Sequence, residues 1–413
     1  MSADPIPHFD AAVVGGGIIG AACAYALGQE RAIGRLVLLE RDEVGGGVTS
    51  AAAGLCTLLT KRPDLQIALA AESMRFHEDW AARLPGVPLH RAPTLMVFEA
   101  PEEALAADVM LESVRRFDPW VERLSPGEVA VREPAWCGPC HGGLLSPGGF
   151  RVDPPRLAEH WAAHAVGPAV IGLPGDPGSR LRLCAELEEL DDRAGSWFLR
   201  TSAGDLTADH VVLAAGLETA GLAARLGWVL PLRSRRGQMA IAEPPPGFLR
   251  NHVLAAEYLA AKFDAGPPAD PEEEGPLEYS FAAVLDGDAG VWIGSTRRFA
   301  ADGRLRGDER IRLLHGAMQR LRGFDPGWVT DERSGRRPWT PDGLPLIGRL
   351  PDRPNLYVAA GHEGDGVMLA PVTGRIIADL IIGRTPRLDT APLRPDRFGR
   401  RWMPVSDQTD TLS

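Results

Sequence analysis

Aromatic residues are few in this chain, at 6% of 413 residues, and only four of them are tyrosine. Cysteine is scarcer still: Cys23, Cys56, Cys137, Cys140 and Cys184 are the whole set. A sparse, odd number argues against a disulfide framework and for reduced thiols. No apolar run approaches the ~20 residues that cross a bilayer. The start, Met1-Ser2-Ala3-Asp4-Pro5, has no basic segment followed by an apolar block, so a signal peptide is not expected and a cytoplasmic location is. Basic residues are outnumbered, with Lys+Arg 44 against Asp+Glu 55 and a net charge of −11. Without a basic stripe the chain cannot neutralise a run of phosphates, which excludes nucleic acid as a partner. There is no second Cys pair to complete a zinc site, so no metal is expected. No internal repeat is visible.

What is present is ordinary globular material, 45% hydrophobic and 24% charged. At roughly 100–200 residues per domain, two or three domains are expected. The first readable unit is an apolar run, Ala11-Ala12-Val13-Val14, ending in Gly15-Gly16-Gly17. Helix formers follow from Ile18 to Gly28, then Leu36-Val37-Leu38-Leu39 leads into Glu40. This is strand, glycine turn, helix, strand. Gly15, Gly17 and Gly20 form G-x-G-x-x-G at the turn. The first glycine permits the turn, the second lets backbone approach a pyrophosphate, and the third allows close helix–strand packing. The helix N-terminus offers its N–H groups to phosphate, and Glu40 can accept ribose hydroxyls. A dinucleotide is the expected ligand. Just beyond lies Gly45-Gly46-Gly47-Val48-Thr49-Ser50-Ala51-Ala52-Ala53-Gly54-Leu55. Such small residues suit backbone lying flat along a flavin, and Thr49 and Ser50 can donate to a phosphate. FAD is favoured over NAD.

Further along, helices are expected over 64–84, over 101–125 as one or two polar helices, over 310–321 and over 371–382. Residues 180–212 read as a strand meander. Residues 229–300 alternate like strands, interrupted by an exposed loop at 266–276 rich in Pro and acidic residues. Leu356 to Ala360 is an apolar strand before a second glycine turn, Gly361 to Gly366. The last ~25 residues, with many Pro, Arg and Asp, are expected to form a loose tail. Trp136-Cys137-Gly138-Pro139-Cys140 spells a thioredoxin-type redox motif, but Pro134 precedes it and His141-Gly142-Gly143 follow. It reads as a loop, not a redox centre or a metal site.

Five ordered stretches together resemble the D-amino-acid oxidase family of flavoproteins. They are Val13 to Gly20, Thr49 to Gly54, Val211 to Gly216, Arg337 to Gly348 (Arg-Pro-Trp-Thr-Pro-Asp-Gly-Leu-Pro-Leu-Ile-Gly) and Ala359 to Val367. Within the family the chain looks most like glycine oxidase, the sarcosine oxidase β group and the β subunits of dye-linked proline, hydroxyproline and opine dehydrogenases. The resemblance implies an α/β fold: a Rossmann-type FAD-binding domain with a mixed-sheet, α+β substrate-binding domain inserted. The expected boundaries are 1–85, 145–225 and 335–385 for the first, 86–144 and 226–334 for the second, and 386–413 for the tail.

It also implies FAD contacts at Ile18 and Ile19, at Glu40 and Arg41, and at Val48, Thr49, Ala53, Gly54 and Leu55. Leu187 matches the position whose backbone meets the adenine. Ala215 and Gly216 close the cofactor side, and His362, Glu363, Gly364, Asp365, Gly366, Val367 and Met368 match the loop at the pyrimidine edge of the flavin. Positions 51–53 are all Ala, so no covalent flavin link is expected.

By the same resemblance Arg337 grips the substrate carboxylate, a task that suits a guanidinium because it binds carboxylate bidentately and stays charged. Arg336 beside it must be engaged elsewhere. Tyr279 can offer a hydroxyl over the flavin face, Arg297 lies on a strand bordering the pocket, and Lys61 is a weaker candidate. Glycine oxidase carries an Arg where this chain has Gly364, flanked by Glu363 and Asp365, which shifts the expected substrate away from glycine toward proline, hydroxyproline or opine types. The implied reaction is oxidation of the C–H next to nitrogen in an amino or imino acid by hydride transfer to flavin N5, with no obligatory general base. Two alternatives stay open: a 2-hydroxy-acid dehydrogenase with His362 as base, and a flavin-bearing electron-transfer subunit. The acceptor is oxygen, a quinone or a partner subunit, and a homo- or hetero-oligomer is admitted.

Overall fold

The computed structural model describes residues 6–63, 65–173, 178–193, 195–259, 266–268, 273–287 and 290–400. The chain divides into two compact units, Met1–Ser50 with Pro154–Arg233 and Arg337–Ser413, and Ala51–Asp153 with Ser234–Arg336.

The first unit is built on a parallel sheet. Its order runs Leu356–Ala360, Gly204–Leu213, His8–Val14, Leu36–Glu40, Arg180–Cys184 and Ala169–Val170. Leu36–Leu39 and Leu356–Ala360 read as unbroken apolar runs because both faces are covered there. Helix Ile18–Gly28 is buried almost all round. It packs against Pro154–Val166 and Gly366–Ile381. The last contact is backbone on backbone, since a Cβ at Gly374 would stand 2.4 Å from the carbonyl oxygen of Ala22. The meander is resolved into Arg180–Cys184, Leu187–Arg193, Ser196–Thr201 and Gly204–Leu213. Leu187 therefore opens a new strand; it does not continue the one that ends at Cys184.

The second unit holds an eight-stranded mixed sheet, in order Val329–Trp339, Arg233–Ala242, Gly290–Phe299, Glu278–Asp286, His252–Ala255, Thr94–Val97, Gly143–Ser146 and Glu122–Leu124. Helix Gly307–Arg320 covers one face, burying Leu313 and Ala317 against Phe281, Ala283 and Ile293. The opposite face carries Met239, Val284 and Trp292, against which Ala53 and Leu55 pack.

Several expectations need correction. Residues 51–85 and 145–153 group with the second unit and 226–233 with the first. The cause is local pairing: Leu55–Cys56 and His90–Arg91 both pair with Phe150–Arg151, which ties the small-residue segment to the second unit. The polar stretch 101–125 holds one helix, Pro101–Arg115, and then a strand, Glu122–Leu124. The last helix starts at Gly366, five residues before Pro371, so the proline lies inside it. The tail is packed as far as the description goes: Leu393 is fully buried, and Arg397 grips the Asp342 carboxylate with Nε at 2.7 Å and Nη2 at 2.9 Å. Of the loop at 266–276, residues 269–272 lie outside the described residues, as do 401–413 of the tail, and Gly275 is buried and bonded to the carbonyl of Phe299. Among the described residues no helix is long and apolar enough to cross a membrane, and no group of His, Cys, Asp and Glu is placed to hold a metal.

Candidate active site

The glycine turn shows which glycines serve the protein and which leave room for something else. A Cβ at Gly15, whose φ is +104°, would meet the Ala214 carbonyl at 2.6 Å. One at Gly20 would come within 1.8 Å of the Gly15 carbonyl. Gly16, outside the motif, is also tight, 2.9 Å from the Glu40 Cβ. Gly17 differs: an added Cβ meets only Thr49 Oγ1, at an ordinary 3.5 Å. Nothing in the protein requires its bareness. Backbone left open at a helix N-terminus is what a pyrophosphate needs.

Around this turn the fixed groups suit a dinucleotide. Glu40 accepts from the Gly16 N–H at 2.6 Å and the Asp42 N–H at 2.9 Å, which holds its carboxylate while leaving lone pairs on both oxygens. Ala185 N–H donates to the Glu40 carbonyl, bringing the start of strand Leu187–Arg193 beside it. Arg41 reaches Glu186 at 3.6 Å across the same end. Thr49 accepts from the Ile18 N–H at 3.0 Å, so its own proton remains to donate. Ser50 is a correction: its hydroxyl bonds the carbonyls of Gly46 at 2.5 Å and Gly47 at 2.9 Å, so it staples the loop and has no proton for a phosphate. Ala214 N–H donates to the Val14 carbonyl, Ala215 follows, and Gly216 takes a φ of +60°.

Also in the first unit, the loop His362–Asp365 leads into helix Gly366–Ile381. Val367 and Met368 are buried in its first turn. Glu363 folds its carboxylate back onto the Gly364 N–H. Asp365 is buried at the helix start. A Cβ at Gly364 would lie 4.0 Å from Arg337 Cδ, so the Arg337 side chain runs beside this loop. Arg336 turns instead to the second unit's turn at 301–303, with Nη1 donating to the Ala301 carbonyl at 3.4 Å. The expectation that one of the two is engaged elsewhere thus has a structural cause: adjacent strand residues face opposite ways.

His362 is buried, with Nε2 2.9 Å from Thr373 Oγ1. Thr373 donates its proton to the Leu369 carbonyl, so the imidazole is the donor in that pair. Burial pushes the His362 pKa down to about 3, against a smaller upward pull from Asp365. In the second unit burial, with help from the Arg151 charge, pushes His252 down to about 4. Both stay neutral when folded and take up a proton on unfolding. Unfolded chains therefore bind more protons from about pH 6.5 down toward pH 3–4, and stability present above that window is lost as pH falls through it. Replacing His362 with Asn is expected to flatten the pH dependence of the urea midpoint between pH 4 and 6 by about one proton, or ~1.4 kcal/mol per pH unit. An unchanged slope would contradict the burial assigned here.

In the second unit, Ala53 and Gly54 are held by Arg151, whose Nε donates to the Ala53 carbonyl at 2.9 Å, and by Val152 N–H on the Gly54 carbonyl. Gly54 has a φ of +78°. Tyr279 is a correction. It lies on the helix-covered face, where a Cβ at Gly316 would meet its hydroxyl at 1.8 Å, so it is sandwiched between sheet and helix. Strand alternation decides this: Tyr279 shares a face with Phe281 and Ala283, and Ser280 takes the other. Arg297 is on that other face, 1% exposed. Lys61 is buried with Nζ 2.6 Å from Thr60 Oγ1. Cys137 and Cys140 sit in irregular chain, with no helix following, and each Sγ points to a backbone carbonyl. Sequence reasoning missed Arg151, Gly16, Gly374 and Ser280. The alternation on either side of Tyr279 was the available signal for Ser280.

Comparison with known proteins decides what this cradle belongs to. The profile of the DAO family, FAD-dependent oxidoreductases, matches residues 10–380. The chain belongs to that family. This FAD-dependent oxidoreductase is 29% identical over 400 residues to a glycine oxidase of Geobacillus kaustophilus, covering 93% of this chain and 96% of that protein. It is 31% identical to a D-amino acid dehydrogenase of Paramagnetospirillum magneticum, over 71% of this chain and 63% of the other. Its fold superposes on the crystal structure of the Geobacillus kaustophilus glycine oxidase with a TM-score of 0.80 at 28% identity, covering 95% and 99% of the two chains. FAD is its cofactor, and the open Gly17, the fixed Glu40 and the available Thr49 hydroxyl fit that group.

Proposed function

We propose that this FAD-dependent oxidoreductase oxidises the C–N bond of an amino or imino acid that carries a carboxylate beside the reacting carbon. The supporting observation is the side chain of Arg337, which runs past Gly364 in the loop that opens helix Gly366–Ile381. A larger residue at 364 would crowd it. The guanidinium binds a carboxylate through two parallel hydrogen bonds and so fixes the orientation of the neighbouring carbon. FAD, when bound, supplies the acceptor for the hydride that leaves that carbon.

The substrate amine must be neutral for its lone pair to assist, and positioning then supplies most of the rate. The N-terminus of helix Gly366–Ile381 favours negative charge gathering near it. A 2-hydroxy acid would need a base to take the hydroxyl proton. His362 is a poor one, with its pKa near 3 and its Nε2 proton committed to Thr373. The relatives named glycine oxidase and D-amino acid dehydrogenase point the same way. With Gly at 364 and acidic residues on each side of it, the substrate is larger than glycine, of the D-amino acid, proline, hydroxyproline, N-alkyl glycine or opine type.

The test is anaerobic mixing with a panel of those acids and with 2-hydroxy acids, read as loss of flavin absorbance. Bleaching by an amine and not by its hydroxy analogue is expected; the reverse would refute the reading. Because Ala51-Ala52-Ala53 offers no nucleophile to the flavin, acid precipitation is expected to leave the yellow colour in the supernatant, and a yellow pellet would show a covalent link.

A further inference from the structure

Helix Pro101–Arg115 lies wholly within the second unit. It buries Ala107, Leu111 and Val114, a stripe at i, i+4 and i+7 that seats it against strand Gly143–Ser146. Arg123, on the edge strand Glu122–Leu124, fixes it further, with Nη2 donating to the Ala104 carbonyl at 2.8 Å and Nη1 pairing with Asp108. The opposite face is turned to solvent, yet it is not polar throughout. Leu105 is 80% exposed and Val109, one turn on, is 64% exposed. Phe117 and Trp120 are exposed just past the helix end. Among the described residues, these four of the eleven exposed large apolar side chains fall within sixteen residues of chain. Single exposed apolar residues are ordinary; a concentration of them marks an interaction surface.

The charges around Leu105 and Val109 say what covers them. Glu102, Leu105, Val109, Glu112 and Arg116 follow one another at spacings of three and four, so they share the outward face. Arg116 belongs to it because its backbone stays helical, at φ −61° and ψ −25°. The charges off this face are already used: Glu103 accepts from the Glu99 and Ala100 N–H groups, and Asp108 holds Arg123. Among the described residues Glu102, Glu112 and Arg116 form no ion pair. Glu102 and Arg116 each stand seven residues from Val109, two turns or about 10 Å in opposite directions. Opposite charges at equal distances on either side of an apolar centre are complementary to a copy of themselves turned end for end.

We propose that this helix face is a self-association surface, on which a second copy of the chain docks its own helix antiparallel about a two-fold axis at Val109. Glu102 of each copy then stands level with Arg116 of the other, and Phe117 level with Pro101. The contact is isologous, so every pair occurs twice. The charges exclude the competing arrangements. Parallel helices would set Glu102 on Glu102, Glu112 on Glu112 and Arg116 on Arg116. An antiparallel pair centred between Leu105 and Val109 would set Glu102 on Glu112. The proposal concerns assembly alone and is independent of which acid the enzyme oxidises.

The test uses FAD-loaded full-length enzyme in sedimentation velocity from about 1 to 100 μM, the range in which a modest interface shows its concentration dependence. Wild type is expected to dimerise, and Val109→Glu, which sets two carboxylates against each other on the axis, to sediment as a monomer. Glu102→Arg and Arg116→Glu should each weaken the dimer at least about tenfold, because two attractive pairs become two repulsive ones. Mixing these two proteins should restore dimers, since both ends of the mixed pair again join opposite charges, and the doubly substituted chain should dimerise as wild type does. Flavin content and melting temperature check that each variant is folded. A monomeric wild type overturns the proposal and leaves the face to some other partner. A dimer that persists in Val109→Glu overturns it too, because the contact then lies elsewhere. Where Val109→Glu fails to hold FAD, the mixing experiment decides: no recovery overturns the antiparallel pairing.

Discussion

Gly20→Ala is expected to yield a chain with no bound FAD and a lowered melting temperature. Gly17→Ala is expected to lose FAD while melting as the wild-type apoprotein does. The two glycines stand in the same motif, yet their surroundings differ. At Gly20 a methyl group would sit 1.8 Å from the carbonyl oxygen of Gly15, backbone that cannot swing aside. Relief requires helix Ile18–Gly28 to move by more than an ångström. Overpacking of that kind costs about 1–3 kcal/mol or more, and an ångström of misplacement in a positioning element costs on the order of a hundredfold. At Gly17 the methyl meets nothing closer than Thr49 Oγ1 at 3.5 Å, and the backbone φ of −64° suits alanine. It obstructs only a ligand pressed against the turn. Cofactor content at purification, FAD titration and apoprotein melting separate the cases. If Gly17→Ala retained FAD at wild-type affinity, the pyrophosphate does not approach this backbone.

The second large effect concerns Arg337. Arg337→Ala is expected to lower kcat/KM for flavin reduction about 30- to 4000-fold, the range for removing one partner of a desolvated charge pair at ~2–5 kcal/mol. Arg337→Lys keeps the charge and loses the paired hydrogen bonds, so it should fall between, with the larger part in KM. Adding bulk at the neighbouring loop offers an independent check. Gly364→Leu leaves the guanidinium in the chain but crowds its path past the loop, and should shift the same parameter in the same direction. Stopped-flow reduction over a range of substrate concentrations reads both. Unchanged apparent affinity in Arg337→Lys would remove the arginine from the carboxylate.

How much of this was readable from the sequence depends on how local each feature is. The strand, turn and helix from His8 to Gly28 are legible because the glycines, the apolar run and Glu40 lie within about 30 residues and each has a short-range reason. Arg337 and the loop at 362–366 are legible as motif. Their adjacency is not, because it arises from tertiary packing of a strand end on a helix start. Tyr279 shows a different failure. Its strand was legible, but alternation fixes only which residues share a face, not which face meets the helix, and that depends on Gly316, 37 residues on. The register slip between Glu278–Asp286 and Gly290–Phe299 that turns Arg297 away from the helix is a misfit between two strands and has no mark in either alone. Ser50 has the right chemistry for a phosphate and spends it on the carbonyls of its own loop. The tail looked loose because Pro, Arg and Asp are common in unfolded ends. One bidentate pair, Arg397 with Asp342, makes its described part structural, and its partner is 55 residues away.

The order of strands in the first unit has a consequence for biosynthesis. His8–Val14 pairs on one side with Gly204–Leu213, which pairs in turn with Leu356–Ala360. At a translation rate of roughly 5–20 residues per second, the nucleotide turn leaves the ribosome on the order of 20–70 s before the last strand of its sheet. During that interval the edge of an apolar parallel sheet waits unpaired, with both faces built for burial. The cofactor cradle is among the earliest parts of this protein to be made and among the last to be finished, so cells making it quickly would depend on chaperones or on slow synthesis to keep the half-built sheet from meeting its own copies.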